Sequence, residues 1–390
     1  MTSDTARCLC AGLFAGGLFA TAATAAAEYR TLHSFNLTDG DHPQSGLVMD
    51  GDGNLYGTAP VGGAHNLGVV FRVAPDGTFR VLHDFKGGHD GATPSPTPLV
   101  VGPDGALYGT TREGGVANGG TLFRMKRGGK MKILHSFGVG GDGYAPASDV
   151  HFDGQGNMIG TTNLGGASDG GVVYRIAPDG TETVLHSFAG GAGDGLNPNG
   201  TLAEDGAGNL FGTTYKGGAN DKGTVYKLAP DAAVSVLFGF TSGYANPMQG
   251  PTLDRHGNLF GTTTMQSNAV VSDIFMVTPK GEGSIVYRPG VEMGSTAAPM
   301  LIDRKGNLFG TTPLGGGNQT GGCFTAGGCG MFFMLAPDRT FTDLHGFGGS
   351  DGLIPTGSVV SDGHGNYYGT TMWGGDDAHG AVFEISTGAK

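Results

Sequence analysis

Five histidines recur along the chain, and a set of imidazoles could bind a transition metal. A phenylalanine follows two residues after each of them, which places the five in separate copies of one local pattern: His33, His83, His135, His186 and His345. Side chains from separate copies lie too far apart to share an ion, because ligand atoms must approach a metal to about 2 Å. We therefore expect no metal site here, and a structural role in which each imidazole bonds to nearby backbone.

Two further motifs match known chemistry only in part. Residues 166–170 have the Gly-x-Ser-x-Gly pattern of serine hydrolases, but that pattern needs a strand, a sharp turn and a helix, and here a second strand follows. Residues 50–54 begin like a calcium-binding loop, yet Leu55 occupies the sixth position, where such a loop requires glycine. We assign both segments to turns.

The composition excludes some classes of function. Glycine supplies 78 of 390 residues, which can indicate disorder, but short apolar runs separate the glycine-rich stretches and predict strands joined by turns. The formal net charge is −12, so the clustered positive charge of a nucleic-acid-binding protein is not expected. No glycine-rich stretch opens a helix, so we expect no phosphate-binding loop and no cofactor.

An internal repeat organises the chain. A run resembling Asn-Leu-Tyr-Gly-Thr-Thr occurs seven times at intervals of about 50 residues, with its glycine at Gly57, Gly109, Gly160, Gly212, Gly261, Gly310 and Gly369. Each copy contains four short apolar runs, which we call strands A, B, C and D; in the third copy they cover residues 150–152, 158–161, 171–176 and 183–188. Four antiparallel strands per repeat predict an all-β fold, a seven-bladed β-propeller with four-stranded blades.

The turns and the two ends of the chain fit this architecture. The A–B connection is Asp-x-x-Gly-Asn in six copies, in which the aspartate bonds the turn amides and the glycine takes a positive φ. A D-type run at residues 30–35 precedes the first A strand, and the last copy ends on a C strand at residues 381–385. We expect the N-terminal D strand to complete the last blade and close the ring without a free sheet edge.

At this point the sequence resembles the GloVer repeat family, the tandem-repeat proteins described as choice-of-anchor. The resemblance rests on Leu-His-Ser-Phe at 32–35, 134–137 and 185–188, and on Gly-Asn-Leu-Phe-Gly-Thr-Thr at 208–214, 257–263 and 306–312. It spans almost the whole chain after the leader. It implies an exported repeat protein and supplies no catalytic residues. This sequence shows no C-terminal anchoring segment of the kind that many relatives carry.

The N-terminal residues predict export. Arg7 precedes an uncharged apolar stretch, and Ala25-Ala26-Ala27 offers a cleavage site, so we assign residues 1–27 to a signal peptide and residues 28–390 to the propeller. The mature protein would then be secreted or periplasmic, without stable membrane insertion. In such an oxidising compartment Cys323 and Cys329 are expected to form a local disulfide.

The B–C loops and D-to-A links of such a meander lie on one face, which we call the loop face, and they are longer than the turns on the other, the turn face. We place any binding site on the loop face. An Asp-Gly-x-x-Pro element recurs there in five links, at Asp39, Asp90, Asp142, Asp194 and Asp351. These aspartates either form a carboxylate ring around the pore or nucleate turns before a proline.

Departures from the repeat indicate where a ligand could bind. The links after blades four and five lack the aspartate, and blade five loses the Gly-Gly of its B–C loop. One hypothesis is a groove around blades five to seven with stacking side chains; the other is mere degeneration of the repeat. The predicted ligand-binding residues are Asp194, Tyr215, Tyr244, Met265, Asp351, Trp373 and Asp376.

Three functions stay open at the level of sequence. The leading hypothesis is a non-catalytic module that binds an extracytoplasmic glycan or protein, because no acid–base pair stands apart from the repeat pattern. The second is a hydrolase or lyase acting on a saccharide or lactone, with loop carboxylates such as Asp194, Asp351 or Asp376. The third is a structural component of a surface assembly.

Overall fold

The computed structural model describes residues 27–241, 245–264, 272–288, 298–316 and 328–388. Its strands form seven antiparallel sheets, as the sequence predicts. Blade one consists of β2 (Val48–Met49), β3 (Leu55–Ala59), β4 (Val69–Val73) and β5 (Phe79–Asp84). Blade two consists of β6 (Ala92–Pro94), β7 (Val100–Val101), β8 (Leu107–Glu113), β9 (Thr121–Met125) and β10 (Met131–Ser136). Blade three consists of β11 (Tyr144–Pro146), β12 (His151–Phe152), β13 (Met158–Leu164), β14 (Val172–Ile176) and β15 (Glu182–Ser187). A 3₁₀ turn, Gly88–Asp90, lies between the first two blades.

Blades four to seven repeat the arrangement. They consist of β16 (Gly195–Glu204), β17 (Leu210–Gly217), β18 (Thr224–Leu228) and β19 (Val234–Gly239); β20 (Ala245–Pro247), β21 (Thr252–Leu253), β22 (Leu259–Thr264), β23 (Ser272–Val277) and β24 (Gly283–Tyr287); β25 (Leu301–Ile302), β26 (Leu308–Thr312), β27 (Met331–Leu335) and β28 (Phe341–Gly346); and β29 (Val360–Ser361), β30 (Asn366–Thr371) and β31 (Ala381–Ser386) with β1 (Glu28–Ser34). In blades two, three and five the A strand is broken into two segments that pair with the same B strand.

The anchor glycine of each repeat makes room for an aromatic ring. Gly160 lies directly opposite Tyr174 on the neighbouring C strand, and a Cβ added to the glycine would come within 2.4 Å of the tyrosine hydroxyl. The other six anchors face a phenylalanine or tyrosine in the same register, as Gly57 faces Phe71. Because the ring lies over the glycine, its area is buried without a cavity.

Apolar side chains pack between the blades. Among the described residues, seven buried clusters occur, one at each junction of neighbouring blades. Each Leu-His-Ser-Phe motif has its phenylalanine fully buried in one of these clusters: Phe35, Phe137 and Phe188. Val382 of the last blade packs with Phe71 of the first, so the ring of contacts has no open junction.

The N-terminal strand lies where the sequence places it. Strand β1 pairs with β31 in antiparallel register from Glu28 opposite Ser386 to Ser34 opposite Ala381. Tyr29 of this strand stacks on His345 of blade six, with ring centroids 4.6 Å apart, and its hydroxyl donates a hydrogen bond to the Asp351 carbonyl. The outer strand of the last blade therefore comes from the first segment of the described chain.

The A–B turns have the predicted chemistry. The Asp50 carboxylate accepts hydrogen bonds from the backbone N–H groups of Asp52 and Asn54, and Gly53 has a φ of 79°. The same bonds recur at Asp153, Asp205, Asp254 and Asp303. These tight turns hold the turn face rigid.

Candidate functional site

The predicted role of the five histidines is structural, and the structure corrects their partner. Each imidazole Nε2 hydrogen-bonds a carboxylate rather than backbone, and the carboxylate is that of the Asp-Gly-x-x-Pro element. The N–O distances are 2.9 to 3.0 Å for His33–Asp39, His83–Asp90, His135–Asp142, His186–Asp194 and His345–Asp351.

The same aspartates also close turns. In four of them the second carboxylate oxygen accepts a backbone N–H three to five residues earlier, as in Ala189 to Asp194 and Gly348 to Asp351. In Asp90 a single oxygen contacts both His83 and the backbone N–H of Lys86. His345 and two backbone amides hold the pKa of the Asp351 carboxyl below its usual range against the effect of burial. The aspartates nucleate turns beside the outer strands, and the alternative of a carboxylate ring around the pore is wrong.

The described residues leave little space at the centre of the ring. Residues from six blades line a cavity of only about 10 Å³: Gly46, Pro96, Thr97, Pro98, Thr201, Gln249, Ala298, Pro299, Thr356 and Ser358. One water molecule needs roughly this much space. Pro96, Thr97 and Gln249 also line a larger pocket beside this cavity.

One histidine pair differs from the other four. Glu182 of β15 lies 3.7 Å from the Nε2 of His135, which also bonds Asp142. The ligand atoms of these three side chains lie within 4.8 Å of one another, a spacing that a metal ion could bridge. Burial and the nearby Asp142 carboxylate raise the pKa of Glu182 to about 7.

A polar pocket of about 470 Å³ opens on the loop face over blades two to five. Its walls come from the loop-face ends of the A and B strands and from the links between blades. Its size falls within the range of sites for small ligands. The residues that line it are Pro96, Thr97, Arg112, Pro146, Ala147, Asn163, Asn197, Asn199, Gly200, Tyr215, Lys216, Met248 and Gln249.

The amides of this loop-face pocket hold one another in place. Asn163 donates from Nδ2 to the Oδ1 of Asn199 at 2.9 Å, and Asn197 donates from Nδ2 to the Asn163 carbonyl at 3.0 Å. Asn246 donates to the carbonyl of Tyr215 at 2.7 Å, which fixes the segment that carries the tyrosine ring. Amide groups held in this way can still bond a ligand, since each has more donors and acceptors than these contacts use.

The pocket carries positive charge. Arg112 and Lys216 line it, and no aspartate or glutamate is among its described lining residues. The chain as a whole has a net charge of −12, so a carboxylate-free pocket with two cations is a local exception. Such a site attracts anionic groups.

Of the seven residues predicted from sequence, the five that the structure describes do not come together. Tyr215 lines the loop-face pocket. Asp194 and Asp351 bond histidines in different blades, and Asp376 is exposed, with its backbone N–H donating to Ser34. Trp373 lies in the last blade, where the ring of His42 meets it edge-on at 3.8 Å. Tyr244 and Met265 lie outside the described residues, so the predicted groove around blades five to seven stays a prediction.

Sequence reasoning missed the asparagines of the pocket. Asn163 lies on β13, whereas Asn197 and Asn199 lie on β16 of the next blade, and they meet only when the two blades pack together. The available signal was that Asn197 and Asn199 flank the proline of a D-to-A link, where other links have no asparagine pair. The predicted disulfide is also open, because Cys323 lies outside the described residues, while Cys329 is buried.

These observations define the class of protein: a seven-bladed β-propeller built from tandem repeats, with a polar pocket on its loop face. No helix in the described part of the chain has the length and apolar character needed to cross a membrane. The chain belongs to the family described as the Gloeobacter/Verrucomicrobia repeat, whose model matches residues 11–151 and 95–324. This confirms the resemblance drawn from the repeat motifs.

Solved structures show the same fold at low identity. A virginiamycin B lyase from Staphylococcus aureus aligns with a TM-score of 0.60 and 14% identity, over 92% of this chain and 99% of that one. An extracellular domain described as part of a two-component system from B. thetaiotaomicron gives 0.60 and 10%, over 91% of this chain and 39% of that one.

PorZ, a surface component of the type-IX secretion system of Porphyromonas gingivalis, gives a TM-score of 0.53 and 15% identity, over 91% of this chain and 48% of that one. At these identities the likeness concerns the fold alone. No curated protein sequence matches the chain.

Proposed function

We propose that the protein is an exported binding module that recognises an acidic glycan through the loop-face pocket. Residues 1–27 act as the cleaved signal peptide, and the mature propeller works in the periplasm or outside the cell. Two structural relatives, an extracellular domain and a secretion-system surface component, fit an extracytoplasmic site of action.

The observation that carries this proposal is the pocket's set of polar groups. Three asparagines and Gln249 offer paired donors and acceptors, which suit the neighbouring hydroxyls of a sugar ring. Tyr215 offers an aromatic face for the apolar side of a sugar. Arg112 and Lys216 match a carboxylate or sulfate on the glycan, because charge-assisted hydrogen bonds are stronger than neutral ones.

The pocket favours binding over catalysis. Glycoside hydrolysis uses two carboxyl groups about 5 to 9 Å apart, and the described lining of the pocket has none. The loop carboxylates proposed for the enzyme hypothesis, Asp194 and Asp351, are instead bonded to histidines in different blades. These side chains therefore argue against a two-carboxyl glycoside hydrolase at this pocket, and a non-catalytic module is the function that we propose for it.

Calorimetric titration of the mature protein tests the proposal. We expect a galacturonan hexamer to bind and neutral cellohexaose to bind at least tenfold more weakly, since loss of a charged hydrogen bond costs about 1.5–3 kcal/mol. Lys216→Ala should reduce the affinity for the galacturonan about tenfold, and Asn163→Ala about fivefold.

Lys132→Ala serves as the matched control, since this lysine lies on an outer strand away from the pocket, and its affinity should equal that of the wild type. Equal binding of both hexamers, or no effect of the pocket variants, would contradict the proposal. Binding of neither sugar, together with capture of an envelope protein that the pocket variants also lose, would move the function to a protein partner.

A further inference from the structure

The turn face has a second cavity, which we call the blade 5–6 slot. Its volume is about 710 Å³, larger than the 470 Å³ of the loop-face pocket, and it lies between the fifth and sixth blades. Its floor is apolar and its rim is cationic. The floor residues are Phe260, Met276, Val286, Ile302, Leu308 and Leu335, and the rim cations are Arg255, Arg304, Lys305 and Arg339.

The repeat supplies an internal reference for this slot. The groove between blades three and four has the same place in the fold and a volume of about 360 Å³. Met276 pairs with Phe260 just as Arg175 pairs with Ile159, and Ile302 pairs with Leu308 just as Glu204 pairs with Leu210. Two charged residues of the reference groove are thus apolar in the slot.

At the rim of the slot, by contrast, cations replace uncharged residues of the reference groove. In the A–B turns, Arg255 lies where blade three has Gly154, and Arg304 and Lys305 lie where blade four has Gly206 and Ala207. In the C–D turn, Arg339 likewise lies where blade four has Ala232. Compared with this reference groove, the floor of the slot lacks one arginine and one glutamate, and its rim gains cations.

The rim cations have no carboxylate of their own. Among the described side chains, none of the four forms an ion pair; Arg255 donates only to the ring of His256. The two aspartates in the lining, Asp254 and Asp303, each use both oxygens on the amides of their own turn. An anion at the rim would therefore meet cations that have no carboxylate partner, beside an apolar floor.

We propose that the blade 5–6 slot binds an amphipathic anion, an aliphatic chain with one carboxylate head. The chain lies on the floor of Met276, Ile302 and Leu335, and the carboxylate bonds the arginines and lysine of the rim. Each CH₂ group buried on the floor adds to the affinity, so a medium-length chain suffices for measurable binding. This site is separate from the loop-face pocket, and neither proposal depends on the other.

The test is a titration of the mature protein with dodecanoate below its micelle-forming concentration. We expect saturable binding of one equivalent, and at least tenfold weaker binding of uncharged dodecanol. The double variant Met276→Arg/Ile302→Glu introduces the residues of the reference groove and should abolish binding. The fold accommodates this pair between blades three and four.

Arg304→Gly/Lys305→Ala likewise restores the reference turn and should weaken dodecanoate binding at least tenfold while leaving the melting temperature near that of the wild type. Asn163→Ala in the loop-face pocket is the control that should bind dodecanoate normally. Equal binding of dodecanol and dodecanoate, unchanged binding by the double variant, or association only with anionic phosphatidylglycerol vesicles would overturn the proposal.

Discussion

At the scale of single residues, the histidines show how the repeat joins its blades. Each ring is fixed by an aspartate of its own link, and the next blade covers two of the rings with aromatic side chains: Phe79 stacks on His33 at 3.5 Å and Tyr29 on His345 at 4.6 Å. At the corresponding place beside His135 the next blade has Glu182. The side chains that cover His33 and His345 are uncharged aromatic rings, whereas Glu182 beside His135 can ionise.

This glutamate predicts a specific pH dependence. Its pKa is about 7 in the folded protein, raised from 4.5 mainly by burial. Because the folded state holds the proton more tightly, its stability falls as the pH rises from about 4.5 to about 7. Glu182→Met, which introduces the residue of blade two at this position, should therefore raise the melting temperature more at pH 8 than at pH 5.

Thermal unfolding at the two pH values checks this. Glu113→Gln, at an exposed position, is the control and should shift the melting temperature equally at both. An equal shift for Glu182→Met at pH 5 and pH 8 would show that the carboxylate is not forced to ionise against its surroundings.

At the scale of the strand, β1 has a role that no other strand in the described part of the chain shares. It joins residues at opposite ends of the described chain, with Glu28 opposite Ser386, and it brings Tyr29 and Leu32 to the clusters on both sides of the last blade. Without β1, strand β31 would be an unpaired edge and both clusters would lose area.

Deleting residues 28–34 should therefore remove cooperative unfolding, seen as a broad, shallow transition by circular dichroism. Arg30→Ala provides the control, because its ion pair with Glu384 is exposed and should change the unfolding free energy by less than about 1 kcal/mol. A deletion variant that melts as sharply as the intact propeller would show that the ring does not need this strand.

At the scale of the whole molecule, the fold followed from local signals and the sites did not. Short motifs predict the anchor glycines, the Asp-x-x-Gly-Asn turns and the D-type strand β1, because each motif depends on residues close in sequence. The loop-face pocket joins Asn163 with Asn199 and Arg112 with Lys216, which belong to different repeats. Their proximity depends on how neighbouring blades pack, which no single motif records.

Comparison between copies holds part of the missing signal. Met276 stands where the first four blades have Arg72, Arg124, Arg175 and Lys227, and aligning the copies shows this departure once the register is known. The sequence hypothesis of departures clustered from blade five onward pointed to this part of the ring. That hypothesis concerns the loop face and stays a prediction, whereas Met276 and the rim cations line a cavity on the turn face.

Hydrogen–deuterium exchange of the mature propeller with and without the galacturonan hexamer tests the central claim, that the loop-face pocket is the binding site. We expect slower exchange in the links and loops that line it, around residues 96–97, 112, 163, 197–200, 215–216 and 248–249, with the turn face unchanged. Protection confined to the turn face, or none at a saturating concentration of the sugar, would contradict the account.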